Sequence, residues 1–199
     1  AAVGTGKNLG AAGYGGDKGI FGFGLTSSAK TGITNLVNNS GVVASDVSAV
    51  GTGRELVSAA GYGVGKAIFA FGTTSSGDTG ISNLVTDQGV VGSDVSAVGS
   101  VRKYQGSATY GTDKAIFAYG QNSGGSVISL SNLVNNQGVV ASDVTGVGTA
   151  REGPAATRFG SSGQAVFTGG KNSSNSVVST TNIVSNSGVV ASDTSASGT

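Results

Sequence analysis

The chain has 199 residues, 11 Lys+Arg against 10 Asp+Glu for a net charge of +1, and no Cys, His, Met or Trp. That balance leaves no basic footing for nucleic acid, and the absence of His and Cys leaves acid–base and nucleophilic catalysis little to work with. With 37 glycines, one proline and 11% charged residues, it is neither collagen-like nor proline-rich nor a self-repelling disordered polymer.

The chain opens on Ala1 to Lys7, which matches Ala49 to Arg54 at the end of the first repeat, and it closes on Ser195 to Thr199, which matches the same tail. There is no signal peptide and no initial methionine, so processing or a longer parent chain is expected. No apolar run approaches the ~18 residues of a membrane helix. Without cysteine the redox compartment is unreadable. Lacking Cys, His and Met, the chain would resist oxidation, which suits a particle exposed outside a cell.

From there a short apolar run is written four times, as Lys18 to Gly24, Lys66 to Gly72, Lys114 to Gly120 and, worn, Gln164 to Gly170. Asn35-Leu36-Val37 returns as Asn83-Leu84-Val85, Asn132-Leu133-Val134 and Asn182-Ile183-Val184, in steps of 48, 49 and 50 residues. Such a period marks a repeat array rather than one ordinary domain. We divide the chain into units 7–53, 54–101, 102–150 and 151–199, with 1–6 as a strand remnant that helps to close a ring.

Each unit reads as four short strands. In the second these are Leu56 to Tyr62, Lys66 to Phe71, Thr79 to Val85 and Val90 to Val98, set off by Gly, Ser, Asn and Asp. No segment has helical periodicity, so no helix is expected. Ile68 and Ala70 point to one face, Phe69 and Phe71 to the other, and the Val90-Val91 doublet repeats the logic. A strand apolar on both faces must lie between two neighbours. The turns ending in Gly41, Gly89, Gly138 and Gly188 fit tight hairpins with positive φ. The fourth unit departs from the rest: Arg158-Phe159-Gly160 replaces Gly-Tyr-Gly, one residue is inserted, and Pro154 precedes it. End repeats are expected to be atypical.

The order of Arg54, a small apolar strand, then an apolar strand ending in glycine resembles a kelch blade, with Gly169-Gly170 as the one true diglycine. The hairpin from Asn83-Leu84-Val85 to Asp94 is similar to the one that follows in that family, although the family's tryptophan is missing and its tyrosine displaced. Gly13 to Gly22, Asn35 to Val43 and Val147 to Arg151 resemble repeats in structural proteins of tailed phages, marine cyanophages among them. The resemblance implies a β-propeller on a virion surface or tail.

Four sets of repeated residues are site candidates. Asp46, Asp94, Asp143 and Asp193 could form a carboxylate ring holding a cation such as Ca²⁺; the favoured reading is a hydrogen bond to backbone. Asn35, Asn83, Asn132 and Asn182 could contact sugars; pinning each sheet to the next is favoured. Lys7, Arg54, Arg102 and Arg151 read as salt-bridge partners of an aspartate between blades, or as an anion site. Tyr14, Tyr62 and Tyr110, with Phe159, could be a stacking platform; half-buried structural aromatics are favoured. Gly22-Phe23-Gly24 and Gly13-Tyr14-Gly15-Gly16 are weak likenesses of phosphate loops, with no Gly-Lys-Ser/Thr and no helix. No acid/base pair stands out, and no catalytic residue or cofactor is assigned.

The reading is an all-β, four-repeat β-propeller without enzymatic activity, a structural, decoration or tail-associated component of a phage virion. Its expected partners are other virion proteins or copies of itself, with no nucleic acid and no membrane. The rival is a lectin-like propeller that binds surface glycans through loops 73–78 and 121–126.

Overall fold

The structure, a computed structural model, describes residues 6–195. The expected strand remnant at 1–6 therefore lies outside the described residues except for Gly6, as does the closing tail beyond Ser195.

The first unit contributes β1 (Gly10–Tyr14), β2 (Lys18–Gly22) and β3 (Thr34–Val37). The second contributes β4 (Ser58–Tyr62), β5 (Lys66–Ala70), a small hairpin of β6 (Thr73–Thr74) and β7 (Gly77–Asp78), and β8 (Ser82–Val85). The third has β9 (Arg102–Lys103), β10 (Gly106–Tyr110), β11 (Lys114–Ala118), β12 (Gln121–Asn122) and β13 (Ser131–Val134). The fourth has β14 (Ala155–Phe159), β15 (Gln164–Thr168), β16 (Thr180–Val184) and β17 (Thr194–Ser195). The described chain is all-β without a helix, as expected.

The apolar strand is always the middle one. β5 pairs antiparallel with β4 (Ala60↔Ile68) and with β8 (Ile68↔Leu84), and the same register recurs in every unit. The expected fourth strand is reduced. In the second unit it survives as two isolated bridges, Val85↔Val91 and Ser82↔Val95. Between them Asn83 Nδ2 donates to Gly92 O and Asp94 Oδ1, so a side chain takes over where ladder bonds would run. The valine doublets are not buried on both sides either: Val91 is inside, whereas Val90 is 62% exposed.

The core lies between units rather than within them. Ala67 and Phe69 face the first unit and meet Tyr14, Ile20 and Phe23. Ile68, Ala70 and Phe71 face the third and meet Ala115, Phe117 and Val134. A third cluster joins the third unit to the fourth. Each buried phenylalanine is worth roughly 1.5–3 kcal/mol, and a lone three-stranded sheet has nowhere to collect it. Stability is thus shared between neighbours, as in other repeat arrays. Among the described residues, no core cluster, aromatic pair or hydrogen bond joins the fourth unit to the first.

Candidate functional site

The repeated polar residues converge at each joint. The middle strand ends in an aromatic residue with left-handed backbone: Phe23 (φ 62), Phe71 (φ 62) and Tyr119 (φ 65), each followed by a left-handed glycine. Such a conformation costs a bulky residue about 1–2 kcal/mol. It turns the ring into the next unit, where it meets a phenylalanine at 5.1–5.6 Å between centroids. The same ring lies under the next unit's arginine: Arg54 over Phe23 at 4.1 Å, Arg102 over Phe71 at 4.2 Å, Arg151 over Tyr119 at 3.8 Å.

These arginines are fully buried. Arg54 donates to the carbonyls of Phe71, Phe69 and Thr52. Arg151 donates to Asn182 Oδ1 at 2.7 Å, in addition to Thr149 O and Phe167 O. Burial pulls the Arg54 and Arg102 guanidinium groups down to about 10, countered in part by Asp94 and Asp143, so both stay charged at neutral pH. The expected bridge to an aspartate between blades gives way to a different arrangement. Arg102 reaches only the aspartate of its own unit, Asp143, at 3.9 Å. Backbone carbonyls and the preceding unit's ring carry the charge instead; a buried charge needs such partners.

Each of three aspartates ties its own unit to the segment just ahead of it, across the unit boundary. Asp94 accepts from Thr52 N, Thr52 Oγ1 and Asn83 Nδ2; Asp143 and Asp193 do the same with Ser100 and Asn132, and with Thr149 and Asn182. Asp46 accepts from Asn35, and the position equivalent to Thr52 lies outside the described residues. Burial alone would raise the Asp94, Asp143 and Asp193 carboxyls; the hydrogen bonds outweigh it and hold all three below the ordinary value. The backbone reading of the aspartates therefore stands for these three. The asparagines pin the outer segment of their own unit rather than the next sheet. Among the described residues no three acidic side chains gather to hold a metal, so the cation ring gains no support.

Sequence reasoning missed the glycine before each latch hydroxyl. Gly51, Gly99 and Gly148 have φ of 73–75°, and a Cβ there would collide with the aspartate. The signal was present: Gly-Thr or Gly-Ser stands just ahead of every buried arginine. Lys7 was aligned with the arginines by its tail, but it bridges Leu25 as Glu55 bridges Thr73. Gly6 holds the arginine position, beside a cavity of about 20 Å³ lined by Leu9, Phe21, Phe23 and Asn35.

Tyr14, Tyr62 and Tyr110 are buried, more deeply than expected. Each ring is capped by the turn glycine of the following unit, Gly89, Gly138 and Gly188 in turn. They are not a stacking platform. A polar cleft of about 400 Å³ runs between the loops of the third and fourth units and is lined by Gln121, Ser126, Glu152, Asn172 and Asn175. The equivalent Glu55 pairs with Lys30 at 3.4 Å, whereas buried Glu152 Oε2 has no hydrogen-bond partner.

No protein-family model matches the chain, and no curated protein is similar enough to stand as a relative.

Proposed function

We propose that this chain is a non-enzymatic structural component of a phage particle, a decoration or tail-associated protein exposed on the virion. One observation carries the reading: the repeated charged and amide side chains are spent on joints and latches, as in Arg151, Asn182 and Asp193. The resemblance of Gly13 to Gly22 and of Asn35 to Val43 to phage structural repeats supplies the setting. Sheets stacked face to face through apolar middle strands suit propeller-type blades, and closure of the row would make the propeller. Purified chain should co-sediment with particles of a host phage that lack it. Chain left wholly in the supernatant would overturn the reading.

A second reading, a glycan-binding module, is favoured by the cleft around Glu152. The Glu152, Asn and Ser side chains that line it suit sugar hydroxyls. Loop 121–126 contributes to that cleft; loop 73–78 instead forms the β6–β7 hairpin. A glycan array probed with the chain and with Glu152→Gln checks it: binding lost in the variant supports it, and no binding by either removes it.

A further inference from the structure

We propose that the two end faces of the row join between copies of this chain, head to tail, the fourth unit of one copy on the first unit of the next. The inference rests on the structural reading and gives it a mode of assembly.

Every internal joint uses one set of fittings, and each end of the row keeps the complementary half. The forward face offers an aromatic ring that the next unit's turn glycine covers. Tyr14, Tyr62 and Tyr110 are covered in this way, whereas Phe159, their counterpart in the fourth unit, is 39% exposed. The backward face offers that turn glycine. Gly89, Gly138 and Gly188 each lie on a ring, whereas around Gly41 a Cβ would meet no atom. Gly24, Gly72 and Gly120 donate their N–H to the carbonyls of Arg54, Arg102 and Arg151 at 2.7–3.0 Å. Neither Gly170 N–H nor Gly6 C=O has such a bond among the described residues. Phe69, Phe117 and Phe167 are sealed, whereas Phe21 is 39% exposed.

The two ends have also changed together. The backward face lacks the arginine, replaced by Gly6, and the forward face lacks the ring under it, replaced by Gly169. An arginine without a ring, or a ring without an arginine, would leave half a pair. With both gone the faces remain compatible, and the joint is weaker than the internal ones. It should therefore form reversibly and depend on concentration. Opposite faces of one molecule make a heterologous contact, which yields a closed ring or a growing filament.

The test is sedimentation velocity over a concentration series, with Phe21→Glu and Phe159→Glu as blocked backward and forward faces. Leu9→Glu, beside Phe21, serves as a second backward variant, and circular dichroism checks that each variant folds. Wild type should exceed its monomer mass of 19.1 kDa as concentration rises. Each variant alone should stay monomeric. An equal mixture of Phe21→Glu and Phe159→Glu should give a species of twice the monomer mass and none larger, because one good face of each kind remains. Wild type that is monomeric throughout, a single variant that associates like wild type, or a mixture that stays monomeric would overturn the pairing. Any of these would leave the structural reading to the particle co-sedimentation, which does not depend on self-association.

Discussion

The middle strands of the third and fourth units, Lys-Ala-Ile-Phe-Ala and Gln-Ala-Val-Phe-Thr, are close relatives that part company on one face only. On the backward face both bury alanine and phenylalanine completely: Ala115 and Phe117, Ala165 and Phe167. On the forward face Ile116, Ala118 and Tyr119 are buried, whereas Val166, Thr168 and Gly169 are only partly covered. Within a unit the sheet seals nothing by itself; a face is dry where another unit lies on it. The residues follow suit. Threonine and glycine stand where nothing presses, and the strained aromatic is kept only where the next unit covers it.

The largest effects should fall on the shared face. Phe117→Ala and Phe167→Ala should each cost about 3–5 kcal/mol, as buried phenylalanines do. Phe21→Ala, on the uncovered face, should cost no more than about 1 kcal/mol. Urea denaturation at low protein concentration measures all three, and equal losses would break the comparison. Next come two glycines with the same backbone. Gly99 and Gly41 have φ of 74° and 76°, but only Gly99 faces a carboxylate across the space a Cβ would fill. Gly99→Ala should cost about 2–4 kcal/mol, through backbone strain and the broken latch. Gly41→Ala should cost about 1–2 kcal/mol, from strain alone. Thermal midpoints that fall together would remove the latch from the argument.

The smallest effect is acid sensitivity. Asp94, Asp143 and Asp193 have native carboxyl values below the unfolded value of 3.8. Their contribution is therefore complete above that value and is lost as pH falls through the lower native values. The amide signals of Thr52, Ser100 and Thr149 should shift together in that window while the apolar joints persist. Joints that open before the latches would reverse the order of strength.

The strand pattern was legible because it rests on periodicity. Glycine-closed turns and an apolar middle strand placed β4, β5 and β8 within a few residues of their ends. The outer strand was not, because Asn83 binds across it and a side-chain hydrogen bond has no hydrophobic period. Lys7 misled through identity. The tail around it copies Ala49 to Arg54, but register is set by the strand that follows, which places Gly6 opposite Arg54. The partners of the arginines were hidden for another reason. A backbone carbonyl carries no residue label, so Phe69 and Phe71 could not be recognised as acceptors from their side chains.

The aspartate latches also bear on mechanics. Thr52 and Asp94 tie together positions 42 residues apart, Ser100 and Asp143 positions 43 apart, and Thr149 and Asp193 positions 44 apart. Each clasp thus hides a loop whose extended length is roughly 140 Å. A chain loaded in tension between its ends would yield loop by loop, each released clasp paying out slack before the next is stressed. In a chain pulled from both ends, that is a shock absorber built from three carboxylates.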